Sequence, residues 1–537
     1  MTGRLSLTLA LLVVGTALLG ASAVARTDGE APKGGTLRMS RFSDVDFVDP
    51  ALAYASWSWP VGYATCAKLF NYPDAGGAAG TRLEPEVVDR FTVSKDGRTY
   101  TFALKRTFRF HTGARVTAQS FADALNRVAQ PRLGSPATAY MHEIVGAAAV
   151  IDGKADSISG VRVLGRYRLQ IRLTRPLGDF TARLTLPFFC PVLPSPPVDP
   201  AGTDSPPGSG PYYVAERVAN QRIVLERNPY YRGKRAANID RVVWAIGNTR
   251  ESCLADAESD RMDFCGTFGV PTGAYRTLAE RYGINRGQFL VRPSLTTWFF
   301  AFNHARPAFA GRGQIPLKKA INYAIDRPDM ARAFGYLAGR RTDQMLPPAL
   351  ARPARIYPHA GADPTSARTW LRRAALQPRE LVLYANNNPT GVAIAQVLAF
   401  NLRQIGIDLQ IKYFDTVSLT EKASVRSEPF DLIMIGWSAD YADAAAFFIP
   451  LLSRADARNG VNLDDARLER RMKSLSRLTG ERRRTAWADF DVELMRDNPP
   501  WAPFVHTQNR TFVSRSTGCV VDHPVYGFDL AAVCKKR

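Results

Sequence analysis

The sharpest chemical candidate in this chain is GWSADYADAAAFF, Gly436 to Phe448. An apolar run before it, Leu432 to Ile435, reads as a buried strand that delivers Trp437 and Asp440 at its carboxyl end. In open α/β sheets ligands sit at that end. A carboxylate in a closed cleft is stable only when paired, so Asp440 suits a cationic group. Trp437 stands three residues before the acid and Tyr441 next to it. Residue types alone also fit a plainer reading, in which Asp440 caps the following helix or sits in a solvated turn.

Two further groups are candidates for binding. The loop Tyr54-Ala55-Ser56-Trp57-Ser58-Trp59 carries three aromatics in six residues, unusual for a solvated connection. Tyr54 and Trp57 are its candidate lining residues, offering apolar area with a polar handle. The alternative is that Trp59 and Tyr54 pack into the core beneath. In Asn386-Asn387-Asn388, amide side chains can satisfy peptide groups in either sense, with Asn386 the candidate. An Asn-rich turn accounts for the same run, because Asn tolerates left-handed backbone. Asn303 and His304 read as a plain turn after a strand.

The sequence carries no catalytic signature. GxSxG, HExxH and GxGxxG are absent, and His142-Glu143 lacks a second His. Gly146 to Lys154 has the wrong spacing for a phosphate loop, and Ala155 stands where Ser or Thr belongs. Asp44, Asp46 and Asp49 lack EF-hand spacing. No CxxC occurs, so neither zinc nor thiol redox chemistry is indicated. No cofactor, metal or catalytic residue is expected. The six cysteines of an exported chain invite disulfides. Short separations close cheap loops, which favours Cys253–Cys265 and Cys519–Cys534 and leaves Cys66–Cys190 to tie distant segments.

The elements around these groups are legible in outline. Asp96-Gly97 is a tight-turn signal between Phe91, Val93 and Tyr100, Phe102, Leu104, which predicts a hairpin with one buried face. Thr117 is an N-cap candidate, with Ser120 three residues on and Phe121, Ala124, Leu125 and Val128 at helical spacing. A second hairpin is predicted through Val161 to Leu173, and helical spacing runs through Gly62 to Tyr72. From Trp298 the texture changes to strands alternating with helices, including one helix over Pro316 to Met330. That pattern predicts an α/β lobe with a largely parallel sheet.

At 537 residues the chain needs more than one core. Arg4, the apolar run Leu5 to Leu19, and Ala23-Val24-Ala25 read as a signal peptide over 1–25, too short to span a bilayer. The formal charge is +21, mostly from Arg. Its densest runs, Arg482-Arg483-Arg484 and Lys535-Lys536-Arg537, lack the interleaved aromatics of a nucleic-acid groove.

The wording from Val93 to Val128, VSKDGRTYTFALKRTFRFHTGARVTAQSFADALNRV, resembles the signature of the family 5 solute-binding proteins of ABC importers, which bind peptides and nickel. SGPYYV (Ser209 to Val214) and VLERNPYYRG (Val224 to Gly233) are similar to further family stretches. The resemblance implies a class II periplasmic-binding-protein fold: two α/β lobes joined by crossover strands, with an extra strand-rich inserted domain. The implied boundaries are 26–78 plus 205–292 plus 508–537 for the first lobe, 79–204 for the insert and 293–507 for the second lobe.

The segment at Trp437 is similar to the family's W-aDy-dP motif, in which the Asp pairs with a peptide's α-ammonium and the Trp lines the cleft, roles the resemblance implies for Asp440 and Trp437. Ala444 replaces the usual Pro, so Asp443 competes for that role. The function implied is capture of an oligopeptide in an interlobe cleft by a periplasmic or secreted monomer that feeds an ABC permease and binds no nucleic acid. A nickel chelate, haem, opine or oligosaccharide is the alternative cargo. An envelope-attached interaction protein and an exported hydrolase are the readings from other classes. The stretch closing the signal, Leu19-Gly20-Ala21-Ser22, has no Cys for a lipid.

Overall fold

Gly97 adopts a positive φ of 70° and turns the strand Val88–Val93 into Thr99–Leu104, with Phe91 opposite Phe102 and Val93 opposite Tyr100. Tyr100, Phe102 and Leu104 are buried. Phe91 and Val93 share their face but lie on the edge strand, and they stay exposed. Arg168–Arg172 and Val161–Gly165 complete this four-stranded antiparallel sheet. Helix Ala118–Ala129 packs on it through Phe121, Ala124, Leu125 and Val128. Its start is a reciprocal cap in which Ser120 takes the place usually held by Glu: the Thr117 hydroxyl accepts from the Ser120 amide, and the Ser120 hydroxyl accepts from the Thr117 amide.

The computed structural model describes residues 31–536, apart from 267, 268, 359, 455 and 457. The predicted signal peptide, 1–25, lies outside the described residues. Pro32 onward forms one compact unit. A second four-stranded sheet pairs Thr36–Arg41 in parallel with Arg241–Ile246, followed by the antiparallel strands Arg222–Arg227 and Tyr212–Val218. The helical spacing over Gly62 to Tyr72 yields only Trp59–Thr65. Cys66 is extended and disulfide-bonded to Cys190, and the backbone of 68–69 pairs with 86–88, so the chain leaves the helix to make non-local contacts. The other disulfides are Cys253–Cys265 and Cys519–Cys534.

The third sheet corrects the expectation of a largely parallel one. Its order is Gly339–Arg341, Trp501–Phe512, Phe289–Phe302, Leu432–Ser438, Glu380–Asn386 and Asp408–Phe414. Only the last two neighbouring pairs are parallel. Two long strands, Phe289–Phe302 and Trp501–Phe512, occupy inner positions and run antiparallel to their neighbours. Each serves two cores: Phe289, Val291 and Phe512 pack with Cys253 and Cys265, whereas Phe300, Phe302 and Phe504 pack with Leu317 and Leu398. Register shifts at Pro293/Thr297 and Trp298/Phe299 mark the passage between them. These are the strands that cross between lobes.

The helix predicted over Pro316 to Met330 is two helices, Ile315–Ala324 and Arg327–Phe334. Asp326 accepts from the Asp329 amide and starts the second, with Pro328 in its first turn, where a missing N–H is harmless. At the break, fully buried Arg327 donates to the carbonyls of Asn322, Thr342 and Pro503.

The acids in the first loop all hold chain in place. Asp49 takes a fork of hydrogen bonds from Arg127, at 2.9 and 2.6 Å, and both residues are buried. This pair fastens the first loop to helix Ala118–Ala129. Breaking one partner of such a pair costs about 3–5 kcal/mol, because the other charge stays buried. Arg127→Met is therefore expected to lower the melting temperature sharply in calorimetry, and Asp49→Asn added to it should recover much of the loss.

Candidate functional site

Strand Leu432–Ser438 lies between Phe289–Phe302 and Glu380–Asn386. Its ladder with Glu380–Asn386 ends at Ile433, whereas its ladder with Phe289–Phe302 runs on to Ser438. Among the described residues no strand pairs with the other edge of Ile435–Ser438. The Ala439 amide donates to the Leu295 carbonyl and turns the chain so that Asp440 follows immediately.

Asp440 is only 5% exposed. Its Oδ2 accepts a 2.6 Å hydrogen bond from the Tyr140 hydroxyl, brought by the one-turn helix Pro136–Tyr140. The Arg458 Nη1 stands 3.6 Å from the same oxygen, beyond hydrogen-bond reach. Arg458 is moored elsewhere. Its Nε and Nη2 donate to Asp456 at 2.8 and 2.7 Å, and its Nη1 donates to the Tyr140 and Tyr54 hydroxyls at 2.7 and 3.3 Å. The guanidinium lies 5.1 Å from the Tyr140 ring and 5.8 Å from the Trp437 ring.

Burial pushes the Asp440 carboxyl up to about 6, against the pull of Arg458 and Tyr140. Burial, then the charge of Asp440, pushes the Tyr54 hydroxyl up to about 12. Burial opposes the charge on Arg458, but its bonds to Asp456 and the charge of Asp440 hold it protonated above the usual range. The site thus holds a carboxylate taken out of water, one hydroxyl bonded to it and one cation near it but tied to another acid.

The remaining candidates fall in different places. Trp437 is half-buried, and its indole N–H donates to the Ala446 carbonyl at 2.8 Å. The Tyr441 hydroxyl donates to Asp179, 262 residues earlier in the chain, at 2.7 Å. Asp443 is taken by Arg483 through two hydrogen bonds of 2.7 and 2.8 Å. Tyr54 packs 6.0 Å from the Phe188 ring and reaches Arg458. Trp57, from the same loop, stacks against Arg41 at 4.7 Å. Trp59 is core. Asn386 is buried, donating to Thr416 and accepting from the Asn388 amide, so its amide is spent on the turn. Asn388 caps helix Pro389–Arg403.

The structure therefore gathers Asp440, Trp437 and Tyr54 and sets Tyr441, Trp57 and Asn386 apart. Tyr140 and Arg458 were missed in the sequence. Neither sits in a motif, and they lie 300 and 18 residues from Asp440. The only local signal was Asp456 two residues before Arg458, a pairing within one polar loop. Among the described residues no group of three or more His, Cys, Asp or Glu could hold a metal ion. Nor is any helix among them long and apolar enough to cross a membrane.

Comparison with known proteins shows what the chain resembles. The family "Bacterial extracellular solute-binding proteins, family 5 Middle" matches residues 82–459. The probable D,D-dipeptide-binding periplasmic protein DdpA of Escherichia coli is 24% identical over 423 residues, 76% of each chain. The dipeptide-binding protein DppE of Bacillus subtilis is 22% identical over 532 residues, 94% of this chain and 92% of that one. Among solved structures, the clavulanic acid biosynthesis oligopeptide binding protein 2 superposes with a TM-score of 0.85 at 25% identity, covering 94% of this chain and 96% of that one. The fold is the two-lobed α/β periplasmic-binding fold of such proteins. With that match spanning most of its length, the chain belongs to the family 5 bacterial extracellular solute-binding proteins.

Proposed function

We propose that this protein is the extracytoplasmic binding component of an ABC importer, and that it closes its lobes on an oligopeptide whose α-ammonium pairs with Asp440. The observation that carries the reading is the state of that acid. It is buried at the carboxyl end of a strand, where chain from residues 54, 140 and 458 converges, and its nearest cation stands too far off for a hydrogen bond. An arriving ammonium supplies the direct charge-assisted bonds that Arg458, moored on Asp456, does not.

The strand edge next to Asp440 supports the same cargo. An extended peptide adds to an open edge through main-chain hydrogen bonds, which makes affinity largely independent of its side chains. Gly436 and Ser438 are exposed along that edge. Trp437 and Tyr54 wall it. The relatives named above are called dipeptide- or oligopeptide-binding proteins. The protein acts by shifting an open–closed equilibrium, with no bond made or broken in the cargo. Its partners are the transmembrane subunits of a permease, and it works as a monomer outside the cytoplasm.

Asp440→Ala is expected to weaken binding of free-amine Ala-Ala-Ala by about 2–5 kcal/mol in calorimetry. The N-acetylated peptide should bind native protein and variant equally weakly. If acetylation leaves the native affinity unchanged, Asp440 is not the amine anchor.

A pH dependence follows from the raised carboxyl. Below about 6 the empty site takes up a proton, and an ammonium then meets a neutral acid. Affinity should be level near pH 7 and fall about tenfold per unit below that point. Arg458→Met removes the nearest cation and should move the break to higher pH, whereas Asp440→Asn should abolish it.

A further inference from the structure

A second cleft, of about 380 Å³, opens beside the short strand pair Phe70–Asn71 and Glu84–Pro85. Its lining includes none of the residues gathered at Asp440. Among the described residues its charged groups are four cations, Lys105, Arg232, Lys234 and Arg235, and three acids, Asp74, Glu84 and Glu86.

The acids are already answered from within the protein. Asp74 accepts from the Arg235 Nε at 3.2 Å and from the Tyr63 hydroxyl at 2.7 Å. Glu86 accepts from the Lys68 amide at 2.7 Å and from the Asn71 side chain at 3.0 Å, with the Arg235 Nη1 4.0 Å away. Glu84 takes the Nε and Nη2 of Arg82 at 3.0 and 2.7 Å. Arg235 is therefore spent on two of the acids, and Arg82 on the third.

Three cations are left over. Lys105 donates to the Glu86 backbone carbonyl at 2.6 Å, which uses one of its three N–H groups. Arg232 donates only to the carbonyls of Pro229 and Tyr231. Lys234 is exposed at the mouth. Among the described residues none of these three forms an ion pair. Burial, and then the charge of Lys234, pull the Lys105 ammonium below its usual range, with Glu86 and Asp89 opposing. Deeper in, the Arg235 Nη2 is a buried N–H without an acceptor. Concave surfaces that gather like charges concentrate the opposite ion, so this cleft favours an anion.

Size and lining narrow the kind of anion. The volume falls within the range of about 300–1,000 Å³ typical of small-molecule sites, more than a bare oxyanion fills. Phe108, Tyr72, Pro73 and Pro85 supply apolar surface for an organic body. A carboxylate brings one charge, whereas a phosphate monoester brings about −1.5 to −2 at neutral pH and three strong acceptor oxygens. Three cations around one cleft match the second better.

We infer that this cleft binds a phosphate ester, with Lys105, Arg232 and Lys234 on the phosphoryl oxygens and Phe108 and Pro85 against the organic part. The inference is independent of the peptide reading above.

The test titrates the full chain with glycerol 3-phosphate by calorimetry at about pH 7.5, where the ester is a dianion. Acetate and glycerol are the comparisons. The ester should bind with a Kd at or below about 1 mM, and at least about tenfold more tightly than either. Lys105→Gln and Lys234→Gln should each weaken it about tenfold, the scale of one charge-assisted hydrogen bond. Lys234 is exposed, so its replacement leaves the fold intact. Arg482→Gln combined with Arg484→Gln, in the densest basic run, should leave the affinity unchanged. No saturable binding of the ester, or an equal loss in that control pair, overturns the site. Vesicles containing phosphatidylglycerol distinguish the source of the phosphate. Retention that glycerol 3-phosphate displaces and Lys234→Gln loses assigns a lipid headgroup. Binding of the soluble ester without vesicle retention assigns a free phosphate ester.

Discussion

A carboxylate removed from water must be neutralised where it sits, and much of this molecule is arranged around that requirement. Asp440, Asp179 and Asp443 each find partners from distant parts of the chain. Tyr140 reaches Asp440 from one side, and Tyr441 reaches Asp179 from the other. Arg483, from helix Gly480–Asp497, holds Asp443 and approaches Asp179 at 3.9 Å. The same rule governs a second buried group, where Lys68 lies over the Tyr63 and Tyr526 rings at 4.9 and 4.8 Å. Burial pushes that ammonium down to about 7 even with Glu86 beside it.

These contacts tie the packing of distant segments to charge balance. The Asp440–Tyr140 and Asp179–Tyr441 bonds join separate parts of the chain, so parting them exchanges both for water. Such an exchange is nearly neutral for hydrogen bonds and favourable for a carboxylate that regains its hydration. The apolar side chains packed with them oppose it: Tyr140, Phe188, Tyr441 and Phe447 belong to one core. In the opening and closing proposed above, the balance rests on small differences, which a ligand that neutralises one acid would tip. Asp443 does not join this balance, because Arg483 already satisfies it within the lobe.

Local physics was legible wherever it decided the outcome. Asp96-Gly97 specified a hairpin because the turn, the alternation and the register agreed. Thr117 specified a helix start, and its cap closed through Ser120 with no Glu present. The reading failed where distant chain intervened. Gly62 to Tyr72 has helical spacing, but a disulfide and a ladder with 86–88 end the helix at Thr65. The second lobe reads as alternating strands and helices, but the crossover strands that make its sheet mixed are contributed from far along the chain. At the site, a motif marked Asp440, whereas its partners Tyr140 and Arg458 have meaning only after folding.

The acid at the end of strand Leu432–Ser438 is defined by what it lacks. The carboxyl of Asp440 has a hydroxyl bonded to it and a cation nearby, but among the described residues no cation within hydrogen-bond reach. On the reading proposed above, a cationic solute answers it, whereas a neutral or anionic one leaves the acid buried without a direct charge partner. Selectivity on this view comes less from attraction than from the penalty of an unanswered charge, which grows as closure excludes water.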